Sequence, residues 1–428
     1  MSGLIVEASE LRRGTLPLNK IIRGDALEVL KKFPSNSVDC VVTSPPYFAK
    51  RMYPGTEKVW GGSEFCKHEF DGDFCKKCGA WRGSLGLEPT PEMFVDHLIA
   101  IFREVKRVLK PHGNCFVVID DAYSGSGWGP RNGDPKHPAA RTGEIYADMF
   151  DVRAPPKSLI LVPELFAMRM VYDLSFILRQ KLIWTKKVHL YKDRTTIGNA
   201  MPESVSDRLC HTWEYVFHFV KEPKYYYDLD IVRIPHKTDA VNKLRDKSKE
   251  PYNQSYPGGA FSPGARPQGH PLGANPGDVL QINTEPLKES HYAPFPTQLV
   301  EFLLKVGCPE WVCKRCGKPR ERIVEVGEFV KTGGSRKKDT PSVSEWQKKH
   351  GTGYHLRYTV GWTDCGCNAS WRPGVVLDPF LGSGTTALVA LRLNRWFVGI
   401  ELSPEYTKMA AHRIEPYVKQ KRLWEFEG

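Results

Sequence analysis

The apolar run Val38-Asp39-Cys40-Val41-Val42 leads straight into Thr43-Ser44-Pro45-Pro46-Tyr47-Phe48, and this junction constrains the fold more than any other stretch. A short β-branched run that stops at a double proline predicts a buried strand delivering a rigid loop at its carboxyl end. The prolines remove two backbone donors and fix φ, which leaves carbonyl oxygens and the Ser44 hydroxyl facing whatever lies beyond the sheet edge. Tyr47 and Phe48 add flat apolar faces. Such a loop suits the gripping of an exocyclic amino group by acceptors while an aromatic ring stacks on the attached base. A plain strand-ending turn is the other reading of these six residues.

A second junction lies near the far end of the chain. Gly374-Val375-Val376-Leu377-Asp378 reads as a strand, Pro379 to Gly384 as a glycine loop, and Thr385-Thr386-Ala387 as a helix start. Glycines permit close backbone approach to a ligand, and a helix amino terminus favours a carboxylate or phosphate. Trp396 to Ser403 is the next strand, ending in Glu401, where a ribose-hydroxyl ligand belongs. Lys20 to Arg23 is another short strand, followed by Gly24-Asp25 and a helical pattern from Ala26 to Phe33. On its own, Asp25 reads as a helix amino-cap.

Ser44-Pro45-Pro46-Tyr47, together with Asp378-Pro379-Phe380-Leu381-Gly382-Ser383-Gly384-Thr385-Thr386 and the Ile400-Glu401 strand, resembles the amino-methylating DNA methyltransferases that use S-adenosylmethionine. The catalytic motif precedes the cofactor motif, as in their permuted beta branch. The likeness covers about residues 18–48, 94–120, 158–222 and 291–417. It implies an α/β fold, a Rossmann-like methyltransferase sheet with circularly permuted motif order. By the same resemblance Ser44, Pro45, Pro46 and Tyr47 are catalytic. Asp25, Phe295, Asp378, Pro379, Phe380, Gly382, Ser383, Gly384, Thr385 and Glu401 are expected to hold the cofactor, with Asp25 on its adenine amino group. The activity implied is direct methyl transfer to the exocyclic nitrogen of a base flipped from duplex DNA, with Tyr47, and Phe48 beside it, stacking on the ring. Serine before Pro-Pro-Tyr is similar to the cytosine-N4 branch; adenine-N6 transfer is the alternative. A non-catalytic zinc-containing DNA-binding protein on the same fold is a reading of another class.

Cysteine spacing adds metal. Cys66, His68, Cys75 and Cys78 form one knuckle-like set, and Cys313, Cys316, Cys365 and Cys367 a four-cysteine ribbon. In a reducing cytosol these spacings argue for two structural zinc ions over disulfides. Cys40, Cys115, Cys210 and Cys308 stand alone and read as buried small hydrophobes.

The remaining chain divides around these features. The expected segments are 1–60, the start of the catalytic half; 61–90, a zinc-binding insertion; and 91–228, the rest of the catalytic half. They continue as 229–290, an irregular target-recognition region; 291–311, a helix flanking the cofactor; 312–370, a zinc ribbon; and 371–428, the S-adenosylmethionine-binding half. Pro91 to Leu109 is predicted helical with Lys110-Pro111-His112-Gly113 as its stop, Phe116 to Asp120 a parallel strand, Pro163 to Leu178 a helix, and Gln180 to Lys187 a strand. Asp120 and Asp121 end a strand on the active edge and read as supporting residues. Trp184 sits beside the target base or in the core, and Asp207 and Arg208 touch phosphate or each other. Gly125 to Arg141 is a long loop, and Lys237 to Asp278 has no apolar periodicity; Tyr252, Tyr256, Phe261, Arg266 and His270 there suit groove contacts, and a disordered linker is the other reading. Lys331 to Tyr358, with Arg336, Lys337, Lys338, Lys348 and Lys349, reads as a solvated loop or a DNA-contacting arm. Sixty-one Lys and Arg against forty-nine Asp and Glu give +12, which favours double-stranded DNA as the partner. No run is long enough to span a bilayer, so a cytoplasmic, DNA-associated protein of a prokaryote, archaeon or phage is expected, with a cognate restriction enzyme as a further partner.

Overall fold

The structure, a computed structural model, describes residues 3–51, 53, 55–124, 150–234, 272–285, 295–332 and 352–419. The strands in chain order are β1 (Ile5–Glu7), β2 (Lys20–Arg23), β3 (Val38–Thr43), β4 (Lys58–Trp60), β5 (Phe70–Asp71), β6 (Phe74–Cys75), β7 (Trp81–Gly83), β8 (Leu109–Ile119), β9 (Ile177–Thr185), β10 (Lys187–Leu190), β11 (Thr195–Gly198), β12 (Trp213–Val220), β13 (Val279–Gln281), β14 (Trp311–Cys313), β15 (Arg322–Thr332), β16 (Thr352–Trp362), β17 (Trp371–Pro373), β18 (Val375–Asp378) and β19 (Trp396–Glu401). The helices are α1 (Ala26–Leu30), α2 (Pro91–Val108), α3 (Val162–Tyr172), α4 (Thr297–Gly307), α5 (Thr385–Arg392) and α6 (Pro404–Lys419). None of them is long and apolar enough to cross a membrane.

Two compact units divide the chain: Met1–Tyr227 with Asp278–Val312 and Trp371–Gly428, and Asp228–Gly277 with Cys313–Ser370. The first is built on a nine-stranded sheet in the order β1-β2-β19-β18-β3-β8-β12-β9-β13. From β1 to β8 all neighbours are parallel; β12 runs antiparallel to β8 and β9, and β13 lies parallel to β9 at the edge. The carboxyl ends of β2, β3, β8, β9, β18 and β19 therefore meet at one edge, joined by the amino end of β12. In open α/β sheets that edge is where ligands bind.

A parallel strand covered on both faces must be apolar at successive positions, and β3 is buried at all six. α2 starts by design of its sequence: Thr90 accepts from the Met93 amide at 3.1 Å, and Pro91 occupies the first turn, where no amide donor is needed. Its buried side, Phe94, Leu98, Ile101, Phe102 and Val105, packs into the same core as Phe166 of α3 and Phe217 and Phe219 of β12.

Two boundaries differ from those expected. α2 ends at Val108, within a residue of the expected end, but Lys110 to Gly113 is strand, because the helix passes directly into β8, whose first residue is Leu109. The cause is Asp39, fully buried on β3, which accepts from Lys110 Nζ at 2.6 Å, Arg372 Nη1 at 3.2 Å and the Val375 amide at 2.9 Å, with His112 Nε2 at 3.1 Å. These partners pull the 110–113 segment into the ladder. α3 ends at Tyr172, not Leu178, because Ser175 takes a positive φ of 54° and turns Phe176 into the core.

Burial by itself would raise the Asp39 pKa, but the His112 hydrogen bond and the Lys110 and Arg372 charges hold it well below the usual carboxylate range. A depressed acid stabilises the fold fully above its unfolded value of about 3.9, and that contribution is lost as pH falls through the folded value. Asp39→Ala leaves Lys110 buried without a counter-charge, so urea denaturation at neutral pH should register a loss of about 3–5 kcal/mol. An unchanged midpoint would refute the network's structural role.

The second unit is centred on the antiparallel ladder of β15 and β16, which runs from the Arg322↔Trp362 pair to Thr332↔Thr352. The expectation of one loop or arm from Lys331 to Tyr358 therefore fails at both ends, which are strand. Arg322 braces the ladder by donating to both Asp228 carboxylate oxygens at 2.7 and 3.1 Å. Asp278 to Glu285, placed by spacing in the target-recognition region, belongs to the first unit because β13 extends the main sheet. Gly125 to Arg141, Tyr252, Tyr256, Phe261, Arg266, His270, Arg336, Lys337, Lys338, Lys348 and Lys349 lie outside the described residues. Cys40, Cys115 and Cys308 are buried as expected, whereas Cys210 is exposed on the connection between β11 and β12.

Candidate active site

The loop after β3 is wired by its hydroxyls. Ser44 Oγ donates to the Tyr47 hydroxyl at 3.3 Å, and Tyr47 donates to Glu214 Oε2 at 2.6 Å. Lys186 Nζ holds the other Glu214 oxygen at 2.5 Å. Burial and the Glu214 charge raise the Tyr47 pKa well above that of free tyrosine, so the phenol stays a donor. With its hydrogen committed to Tyr47, Ser44 Oγ keeps its lone pairs free as acceptors. Beside it, Asp120 accepts from Lys50 Nζ at 2.7 Å and faces His211 Nε2 at 2.7 Å. Burial would raise the Asp120 pKa, but His211 and Lys50 bring it down to about 2. Asp120 therefore stays charged. Lys50 Nζ also lies 5.3 Å from the Tyr47 ring centre.

Across the sheet edge, Gly382 and Gly384 take φ values of 53° and 84°, which glycine alone adopts freely. Glu401 fixes this loop by accepting from the Gly382 amide and the Ser403 amide, each at 2.8 Å. Burial pushes the Glu401 carboxyl up to about 7 despite those two amides. Arg413 Nη1 donates to Ser383 Oγ at 3.2 Å and Thr385 Oγ1 at 2.9 Å. Asp25 caps α1 by accepting from the Glu28 amide at 3.1 Å, and its second oxygen pairs with Lys58 Nζ at 2.8 Å.

Both halves open into one cavity of about 390 Å³. Ser44, Pro45, Pro46 and Tyr47 line it together with Asp25, Phe295, Pro379, Phe380, Gly382, Ser383, Thr385 and Glu401. Asp378 and Gly384 stand behind the wall. Asp378 is 1% exposed and accepts from Thr43 Oγ1 at 2.6 Å and the Phe380 amide at 3.0 Å, so it ties the end of β3 to the glycine loop. Its burial raises it to about 6. A Cβ on Gly384 would meet Ala410 Cβ at 3.0 Å, so that glycine serves helix packing. Phe48 is turned away from the cavity, 2% exposed against Phe94 and Phe150 at 5.7 and 5.4 Å, which corrects its expected stacking role. Trp184 lines the cavity while its Nε1 donates to the Ile282 carbonyl at 2.9 Å. Arg208 and Asp207 pair not with each other but with Glu203 and Lys157, each at 2.7 Å.

Spacing gave no notice of Lys50, Trp60, Tyr53 and Tyr406 in the wall or of Glu214 behind Tyr47. One signal was available for Glu214. An acid at the amino end of an apolar strand that runs antiparallel to its neighbours falls on the edge where they end.

Each cysteine set converges on one point. The ligand atoms of Cys66, His68, Cys75 and Cys78 lie within 4.8 Å of one another, as do those of Cys313, Cys316, Cys365 and Cys367. Tetrahedral zinc with Zn–S near 2.3 Å requires sulfur separations of about 3.8 Å, and Cys66 Sγ lies 3.8 Å from Cys75 Sγ, with Cys78 Sγ 3.3 Å from His68 Nδ1. The two Cys-x-x-Cys turns close alike: the Gly79 amide donates to the Cys75 carbonyl at 2.9 Å and Gly317 to Cys313 at 3.0 Å, both glycines at φ 72°. The donors fit a four-coordinate metal.

The sequence profile of the DNA methylase (N6/N4 methyltransferase) family matches residues 38–311 and 368–412. The Type II methyltransferase M.XycI of Xanthomonas campestris pv. cyanopsidis is 30% identical over 396 residues, which cover 92% of this chain and 87% of that protein. M.Cfr9I of Citrobacter freundii is 29% identical over 96% of this chain and 90% of its own, and M.SmaI of Serratia marcescens 27% identical over 96% of each. With the family profile covering both the Ser44-to-Tyr47 and the glycine loops, this chain belongs to the N6/N4 DNA methylase family and is an amino-methyltransferase acting on DNA.

Proposed function

We propose that this protein transfers a methyl group from S-adenosylmethionine to the exocyclic N4 of a cytosine flipped out of duplex DNA. The observation that carries the reading is the single cavity shared by the Ser44-to-Tyr47 loop and the Gly382–Glu401 cradle. The residues fit the cofactor: Glu401 spends one lone pair of each oxygen on an amide and keeps acceptor capacity for hydroxyls, and Phe380, Phe295 and Trp60 supply flat apolar walls. Once bound, S-adenosylmethionine supplies the electrophilic methyl.

The chain's own residues do the rest. A ring-conjugated amino nitrogen is a poor nucleophile, and Ser44 Oγ and the Pro45 carbonyl, by accepting its two hydrogens, draw it toward tetrahedral geometry. The Tyr47 ring stacks on the extruded base and offsets part of the unstacking cost. The proton shed by the nitrogen passes to Ser44 Oγ as Ser44 hands its own to Tyr47 and Tyr47 hands its own to Glu214 Oε2, along bonds already formed. Catalysis is positioning and electrostatics, with no covalent intermediate. The serine at position 44 supports cytosine, the catalytic-before-cofactor order supports the permuted branch, and structural zinc is assigned to both cysteine sets. Because the three relatives above are named Type II methyltransferases, a cognate restriction enzyme is proposed as partner.

Duplex DNA of mixed sequence, methylated by the purified protein and digested to nucleosides, should yield N4-methylcytosine by mass spectrometry. N6-methyladenine would overturn the base assignment, and no methylated nucleoside would overturn the activity. A pH test addresses Glu401. Below about 7 its carboxyl is protonated and loses acceptor capacity, so cofactor affinity by calorimetry should climb between about pH 6 and 8. Glu401→Gln should bind more weakly at the upper end and flatten the rise; a rise preserved in that variant would remove Glu401 from the cofactor site.

A further inference from the structure

Between the two strands that carry Lys186 and Glu214 to the cavity, the chain leaves the sheet and returns as a separate ribbon. β10 and β11 form their own two-stranded antiparallel ladder, from Lys187↔Gly198 to Leu190↔Thr195. The root of the ribbon is fixed. Thr185 Oγ1 and Thr212 Oγ1 donate to the Lys187 carbonyl at 2.9 and 3.0 Å. A Cβ on Gly198 would meet the Lys186 carbonyl at 2.3 Å and the Gln281 side-chain nitrogen at 2.6 Å. Four residues at about 3.3 Å each carry the strands about 13 Å beyond that root.

The ribbon's chemistry is lopsided. Residues 186–198 hold Lys186, Lys187, Lys192 and Arg194 against one acid, Asp193. Lys186 is bound to Glu214, but Lys187, Lys192 and Arg194 make no ion pair with another described residue. His189, Tyr191, Lys192 and Arg194 line one open surface cleft, which brings the two cations Lys192 and Arg194 to the same side of the ribbon. Tyr191 is 87% exposed and Ile197 50%. A two-stranded ribbon is marginal in water without a third element to cover it.

We propose that the β10–β11 ribbon is a duplex-DNA arm that lies on the phosphate backbone next to the flipped nucleotide. This deepens the DNA methyltransferase reading and rests on it. The root at Lys186 fixes the arm to the wall that receives the base, so arm and cavity act on adjoining nucleotides. Lys187, Lys192 and Arg194 neutralise phosphates, and Tyr191 packs on the sugar edge. A second copy of this chain is the poorer occupant, since a surface of one charge sign repels itself.

The test uses the full chain and a mixed-sequence duplex, with affinity followed by fluorescence anisotropy over a salt series. Each phosphate contact contributes about 0.9 to the log–log salt slope, so Lys187→Ala/Lys192→Ala/Arg194→Ala should lower the slope by about 2–3 and weaken binding at least tenfold at low salt. Cofactor affinity by calorimetry should stay at the wild-type value, and the charge-conserving Lys187→Arg/Lys192→Arg/Arg194→Lys should keep the slope. A triple alanine variant with wild-type slope and affinity would overturn the arm. Wild-type protein that binds no duplex at low salt would overturn the DNA reading, and the arm with it.

Discussion

Tyr47→Ala is expected to lower methyl transfer by about 10²–10³-fold while cofactor affinity stays within about twofold of wild type. The size follows from what one side chain does in the cavity. In the proposed mechanism its ring is the stacking surface, and such stacking is worth about 1–3 kcal/mol per base in single-stranded recognition. Its hydroxyl takes the Ser44 hydrogen at 3.3 Å and passes one to Glu214 at 2.6 Å, so without it Ser44 Oγ is free to rotate and donate where it should accept. Each factor of ten in rate is about 1.4 kcal/mol, and the two losses together reach the range given. Tyr47→Phe separates them. It keeps the ring and removes the relay, and should cost about tenfold, matched by Glu214→Gln if the hydrogen-bond chain matters as drawn. Single-turnover assays with saturating cofactor check all three. Full activity in Tyr47→Ala would refute the stacking and relay roles, and equal loss of cofactor binding would place Tyr47 in the wrong half of the cavity.

The parts of this fold that were legible in the amino-acid sequence are the buried parallel strands and the glycine turns. β3, β18 and β19 are covered on both faces, so each is a run of β-branched and apolar residues with no alternation to misread. The loops that follow carry prolines and glycines whose dihedral demands are local. What spacing cannot convey is partnership across long separations. Asp39 meets Lys110, His112 and Arg372, up to 333 residues away, and so turns a predicted stop into strand. Tyr47 meets Glu214 over 167 residues, and Asp378 meets Thr43 over 335. Asp378 illustrates the consequence: the residue braces two strands from behind the cavity wall, where a ligand contact was expected. Phe48 went astray for a related reason. An aromatic next to a functional tyrosine has two faces of the sheet edge to choose from, and only the positions of Phe94 and Phe150 decide it.

The knuckle should govern cofactor affinity as well as metal content. Cys75 ends β6 and Cys78 lies in the turn from β6 to β7, within the four-stranded sheet β4-β7-β6-β5, whose strands are two or three residues long. Elements that short do not stand without a staple, and structural zinc supplies folding free energy directly, about 10–16 kcal/mol in isolated finger peptides. β4 is the strand that reaches the cavity. Its Trp60 pairs with Trp81 of β7 and stacks on His97 of α2 at 4.2 Å, and its Lys58 pairs with Asp25 at 2.8 Å. The Cys78 sulfur presses on the same turn, since a Cβ on Gly62 would meet it at 2.8 Å. With zinc in both cysteine sets as proposed, Cys78→Ser should therefore lose one of two ions per chain by plasma mass spectrometry and weaken cofactor binding about tenfold or more, because Trp60 is no longer held in the cavity wall and Lys58 no longer against Asp25. Cys316→Ser should also lose one ion, yet leave cofactor affinity unchanged and instead make residues 313–370 sensitive to protease. The contrast between the two variants is the test. Equal effects on cofactor binding would mean general destabilisation, and Cys78→Ser with both ions and wild-type affinity would remove the knuckle from the cofactor site altogether.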